Sequence, residues 1–231
     1  MKGSGILDWI KGIQKGIDYI EDHLTDIIDP AISSPEWDKA NEGTLNPRLW
    51  QQYFAAPETT FKMLRGPEGI SVLMHTNEKN LLAACTEQNG AICQDSCMEF
   101  FYKPSPWDAR YINFGTNPAV VMHIGIGTDR YDRELIYIDR SVFNVESIPE
   151  DGNWSLEIYI PDIFIMTYYE RTSKVCRANF YKCGNNTEYT HYGVWNPVEL
   201  EAADFHLSDF FGTIDAALFS LMDIALILHA F

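Results

Sequence analysis

Gln94–Asn117 reads QDSCMEFFYKPSPWDARYINFGTN. From Asp95 to Tyr102 the side chains alternate across a sheet: Asp95, Cys97, Glu99 and Phe101 fall on one face, Ser96, Met98, Phe100 and Tyr102 on the other. Two prolines and an aspartate in Lys103–Asp108 supply turn chemistry. Tyr111–Asn117 then resumes extended character. The stretch is a strand, a turn and a second strand. One face carries Asp95 and Glu99 beside a strand with Asn113 and Asn117. Those groups suit a hydroxyl-rich ligand or a metal ion, and residue chemistry alone does not choose between them.

The same β character continues on both sides. Ile70, Val72 and Met74 alternate with Ser71, Leu73 and His75, and Leu81–Cys85 is a further candidate strand. Downstream, Val120–Ile126, Leu135–Ile138, Trp154–Ile160 and Arg177–Lys182 have strand composition. Trp154, Leu156, Ile158 and Ile160 share one face, and Pro161 ends that strand. Turn clusters at Pro149–Asn153 and Gly184–Thr187 separate short strands, as in a sandwich. No parallel βαβ pattern and no glycine-rich phosphate loop occurs.

The ends read differently. Ile6, Ile10, Ile13, Ile17, Ile20 and Leu24 recur at spacings of four and three, which predicts an amphipathic helix over Ile6–Ile28. Asp215–Phe231 carries a second helical stripe, Leu218, Leu221, Ala225 and Leu228. That run is shorter than the roughly 20 apolar residues a membrane span needs, and it contains Asp223 and His229. Packing on the N-terminal helix, or a homodimer made through the terminal helices, is the expectation. SSPEWDKA has a helix-start pattern, with Ser34 as cap and Pro35 in the first position.

The 231 residues can bury a substantial core. A net charge of −16 argues against nucleic acid and against an anionic membrane surface, and suits a neutral ligand such as a sugar. The N-terminus lacks the pattern of a secretion signal. The five cysteines are odd in number and irregular in spacing, which predicts free thiols in a reducing cytoplasm rather than a disulfide framework.

Four strings resemble, in order, the family 9 carbohydrate-binding modules: DSCMEFF with YINFGTN, WSLEIYIP (Trp154–Pro161), RANFYKCG (Arg177–Gly184) and DFHLSDFFGTI (Asp204–Ile214). The resemblance spans roughly Asp29–Ile214. It implies an all-β protein, an antiparallel β-sandwich of immunoglobulin-like or jelly-roll-like type, to which the periodicity adds an N-terminal helix over residues 1–29 and a C-terminal helix over 215–231. It implies non-catalytic binding of a mono- or oligosaccharide. The family's best-known members clamp a sugar between two tryptophans; this chain has Ile92 and Phe205 at those positions. The family glutamate that contacts sugar hydroxyls matches Glu99, and Asn179 matches a second contact region. Trp37 fits a family tryptophan that packs a short helix on the sandwich, and is read as core. Some members bind calcium, for which Asp95, Asp129, Asp132 and Asp151 are possible oxygen donors, Asp95 first among them. No other cofactor is implied.

ILDWIKGIQKGIDYIEDHLTD also resembles the opening helix of AraC-type DNA-binding domains, but the DNA-reading helices have no counterpart. A ligand-sensing fragment of such a regulator and an accessory module of a glycoside hydrolase are the alternative functions. Glycoside hydrolysis itself needs two carboxylates about 5–9.5 Å apart. Asp95 and Glu99 on one strand face stand about 13 Å apart along it, so catalysis is not expected.

A sugar site needs an aromatic face for the ring and polar groups for its hydroxyls. Trp195, in the loop-like HYGVWNP, is the expected platform, with Phe205, His206 and Trp107 as further surfaces. Glu99, Asn179 and Arg177 are the expected hydrogen-bonding groups. Asp129–Glu134 reads as a charged, solvated loop.

Overall fold

The computed structural model describes residues 37–66 and 68–215. Twelve strands dominate these residues: β1 (Glu42–Thr44), β2 (Thr59–Arg65), β3 (Gly69–Thr76), β4 (Cys97–Lys103), β5 (Tyr111–Thr116), β6 (Met122–Gly127), β7 (Arg133–Leu135), β8 (Val145–Glu150), β9 (Asn153–Pro161), β10 (Val175–Gly184), β11 (His191–Val194) and β12 (Gly212–Asp215). They form two antiparallel sheets. One has the order β1-β2-β3-β9-β8; the other runs β11-β10-β4-β5-β6-β7, with β12 also pairing β10. The expected β-sandwich is therefore what the chain builds. The terminal helices expected over Ile6–Ile28 and after Asp215 lie outside the described residues. No helix among the described residues is long and apolar enough to cross a membrane.

The period-2 patterns explain the packing. Ile70, Val72 and Met74 of β3 and Trp154, Leu156, Ile158 and Ile160 of β9 point into the sandwich. Met98, Phe100 and Tyr102 of β4, Ile112 and Phe114 of β5, and Phe180 of β10 meet them from the other sheet. Phe61 stacks on Phe180 with centroids 3.7 Å apart, and Phe100 stacks on Phe180 at 4.9 Å. Burying such rings contributes roughly 1.5–3 kcal/mol each.

Four local readings change. Leu81–Cys85 is not a strand but an irregular connection. Ser96 accepts from its Leu82 amide, and Asp95 accepts from its Cys85 amide. HYGVWNP, expected as loop, contributes β11, paired with β10 from Tyr181↔Val194 to Gly184↔His191. Four residues with one glycine carry too little alternation to signal a strand alone. One α-helix, Asp162–Tyr168, follows Pro161 directly; proline suits a helix start as well as a strand end. Trp37 is half-buried, and its Nε1 donates to Glu157 Oε2 at 3.1 Å. Glu157 lies on the outward face of β9, so Trp37 packs outside the sandwich rather than in the core.

The seven-stranded sheet is buried on both faces. Its outer face, bearing Cys97, Phe101, Tyr111, Tyr181 and Cys183, is covered by loop residues including Trp50, Ile92, Val198, Phe205 and Phe211. This second apolar layer surrounds the candidate site.

Candidate ligand-binding cavity

Strand register builds the floor of the site. Glu99 of β4 pairs with Gly115 of β5, and Gly115 pairs with His123 of β6. The next rung is Phe101, Asn113 and Gly125. Directly paired residues share a sheet face, so each rung sets a glycine among functional side chains. A Cβ on Gly115 would stand 3.3 Å from Glu99 Oε2. The Arg133 side chain lies over Gly125. Above this floor opens a cavity of about 250 Å³, lined by Glu99, Asn113, His123, Arg130 and Arg133 from the sheet and its β6–β7 turn. Ile92, Cys93, Asn185, Tyr192, Phe205 and His206 complete the walls.

The polar groups are linked. Arg133 Nη2 donates to Asn113 Oδ1 at 2.7 Å and to His123 Nε2 at 2.9 Å. His123 Nδ1 lies 3.0 Å from the Asn89 carbonyl oxygen, so this ring carries its proton on Nδ1 and is neutral. Burial lowers the His123 pKa, and the Arg133 guanidinium lowers it further. His206 has the same character: burial and then Arg133 hold it down at about 3, with Nδ1 2.7 Å from Tyr111 Oη. Arg130 pairs with Asp204 at 2.9 Å. Burial raises the pKa of Glu99, against a lowering hydrogen bond from Cys183 Sγ to Oε1 at 3.4 Å.

Two buried donors on cavity-lining residues, Asn113 Nδ2 and Arg133 Nε, have no hydrogen-bond partner, and neither has the buried acceptor Asn185 Oδ1. Buried polar groups are nearly always satisfied. Three residues with an unfilled buried group therefore border one cavity. One wall is aromatic: Phe205 stacks on Tyr181 with centroids 4.1 Å apart at 10°, and Tyr192 meets Phe205 edge-on at 6.0 Å.

Residues 34–216 match the profile of carbohydrate-binding family 9. The chain belongs to this family. The fold agrees with solved structures. A candidate carbohydrate-binding protein from Bacteroides uniformis is 24% identical, with a TM-score of 0.70 over 85% of this chain and 92% of its own. A family 9 module from Caldicellulosiruptor kristjanssonii, solved with cellotriose, is 11% identical with a TM-score of 0.54 over 81% and 88%. A structure of a family 9 module from that organism with glucose has 12% identity and the same TM-score over 81% and 90%. No curated protein matches the chain.

In this family 9 module Ile92 and Phe205, the residues that the resemblance matches to the tryptophan pair, line one cavity. Glu99 and His206 line it with them. The other expected groups are elsewhere. Trp195 is not beside the polar residues: it packs edge-on against Phe61 and Phe180, at 5.2 and 5.8 Å, on the core side of the sheet. Asn179 is fully buried; its Nδ2 donates to the Asn196 carbonyl and its Oδ1 accepts from the Asn196 amide, both at 2.9 Å, fixing the turn after β11. Arg177 donates to the carbonyls of Asp209 and Phe211, tying β10 to the segment before β12. Trp107 is exposed in the β4–β5 turn, where the Arg171 guanidinium covers its ring at 4.2 Å.

Asp95 Oδ2 is engaged within the fold: it accepts from the Cys85 amide and from Asn117 Nδ2, both at 2.9 Å. Asp129 accepts from the Tyr131 and Asp132 amides, closing its own turn. Among the described residues, the one grouping of metal-ligand type is Cys97, Glu99 and Cys183, with donor atoms within 4.8 Å of one another. Two thiols and one carboxylate do not suit calcium, which takes six to eight oxygens. Burial raises the Cys97 thiol, and Cys97 and burial raise Cys183. Both remain protonated, and Cys183 is available to donate to Glu99.

Sequence reading missed Asn113, His123, Arg130 and Arg133 as one site. Asn113 had a signal, its place in the hairpin opposite the Glu99 strand. The arginines had none: in one dimension Asp129–Glu134 is a run of charges, and only β6–β7 pairing folds it over the sheet.

Proposed function

We propose that this family 9 module binds one sugar unit in the cavity over Glu99, Asn113 and Arg133, without catalysing its conversion. The observation that carries the reading is the set of unfilled buried groups, Asn113 Nδ2, Arg133 Nε and Asn185 Oδ1, beside the Phe205–Tyr192 wall. Donors and acceptors that converge next to an aromatic wall match the mixed surface of a pyranose. The volume lies below the roughly 300–1,000 Å³ of sites for drug-sized ligands, which favours a single ring at a chain end. Ile92 in place of a tryptophan leaves one aromatic wall rather than a two-sided clamp.

A binding rather than hydrolytic role is supported by the lining: Glu99 is its sole carboxylate, whereas glycoside hydrolysis uses two. The five free thiols support a reducing compartment, the cytoplasm. Isothermal titration of the chain with monosaccharides and short oligosaccharides tests the proposal. Saturable heat with one-to-one stoichiometry, lost in Glu99→Gln, is expected. Absence of heat with every sugar class would overturn it.

A further inference from the structure

We infer that the cavity selects an acidic sugar, with Arg133 receiving the carboxylate of a uronic acid. The inference rests on the carbohydrate reading above and narrows it to a substrate class. Arg133 Nη2 is engaged by Asn113 Oδ1 and His123 Nε2, and Nη1 approaches His206 Nε2 at 3.5 Å. All three acceptors are neutral. Nε, shielded from solvent, is unfilled, and so is Nδ2 of the Asn113 side chain bonded to the same guanidinium. Among the described residues no carboxylate lies within 4.0 Å of Arg133, while its neighbour Arg130 is paired with Asp204. Glu99, the carboxylate that lines the same cavity, acts on Arg133 through space, without a hydrogen bond between them.

Arg133 is thus a half-buried, cavity-lining cation whose hydrogen-bond partners are all neutral and whose Nε is unfilled. A hydroxyl would fill the donor and leave the guanidinium without a hydrogen-bonded anion in a water-poor site. A carboxylate fills both, through charge-assisted bonds about twice as strong as neutral ones, and guanidinium geometry matches it. The chain's charge sharpens the point. At −16 its long-range field repels anions, so this cation is no part of a general basic surface.

The test is isothermal titration of the full chain with glucuronate, galacturonate, their methyl esters, the neutral hexoses and a 6-sulfated hexose. A uronate is expected to bind about tenfold or more tighter than its own methyl ester, and to lose that advantage as salt rises. Hexoses that bind as tightly as uronates would overturn the acidic-sugar assignment while leaving the carbohydrate reading standing. No binding by any sugar would overturn both. A sulfated hexose that outcompetes the uronate would overturn the carboxylate assignment in favour of sulfate. Arg133→Gln should bring the uronate-to-hexose ratio close to one. If that variant does not fold, the ester and salt comparisons on the unaltered chain decide.

Discussion

Glu99 and Gly115 face each other across β4 and β5, and the missing side chain at 115 is what leaves room for the glutamate's carboxylate. A Cβ there would meet Ile92 Cδ1 at 2.8 Å and Glu99 Oε2 at 3.3 Å. Both neighbours line the cavity. Gly115→Ala is therefore expected to push them together, weakening sugar binding while costing about 1–3 kcal/mol of stability, the range for overpacking. Titration calorimetry together with urea denaturation measures the two effects separately.

Glu99→Gln keeps the side chain's shape and removes its capacity for charge. Hydrogen bonds to charged groups contribute about 1.5–3 kcal/mol. Affinity for the best sugar should fall roughly 10- to 100-fold, with the circular dichroism spectrum unchanged. An affinity equal to the unaltered chain would remove Glu99 from the ligand's contacts.

Trp195→Ala separates the structure from the sequence-based expectation. The ring packs on Phe61 and Phe180 and does not line the cavity. The variant should lose about 2–3 kcal/mol of stability, less than a fully buried Trp→Ala because the ring is half-exposed, and keep its sugar affinity. A thermal melt and one titration decide it.

Lys182 is fully buried, and its ammonium lies 2.9 Å from Glu78 Oε2. Lys182→Met would strand the Glu78 carboxylate, which is itself nearly buried. Removing one member of such a pair costs about 3–5 kcal/mol. Replacing both, with Glu78→Gln added, should restore much of that loss. Urea midpoints of the single and double variants form the cycle.

His191 sits against the same pair, with Nε2 3.1 Å from Lys182 Nζ. Burial, and then the lysine's charge, depress its pKa to about 4, below the unfolded value near 6.5. The folded state holds this ring neutral. The stability it contributes is fully present above about pH 6.5 and is lost as pH falls toward 4. His206, held near 3, acts in the same direction over a wider window. The difference in unfolding free energy between the unaltered chain and His191→Gln, measured at pH 7.5, 5.5 and 4.5, should shrink as the solution is acidified.

Legibility followed the range of the interaction. The β3, β4, β5 and β9 segments were readable because alternation is a local property: Met98, Phe100 and Tyr102 share one face wherever the strand ends up. The β11 strand was not, since a four-residue edge strand is defined by its partner β10 rather than by its own pattern. Trp195 was misplaced for a related reason. An indole in a polar-looking stretch reads as a platform until β11 forms and turns it toward Phe61.

Alternation and the four strings that resemble the family determined, from the amino-acid order by itself, an antiparallel sandwich with Glu99 on the strand face it shares with Asp95, Cys97 and Phe101. Only the tertiary structure decided which side chains join Glu99. Asn113, His123 and Arg133 come from three successive strands, and Phe205 and His206 from a loop some hundred residues distant in the chain. Their meeting depends on interstrand register and on loops closing over a sheet, and such contacts leave no local trace in the order of the residues.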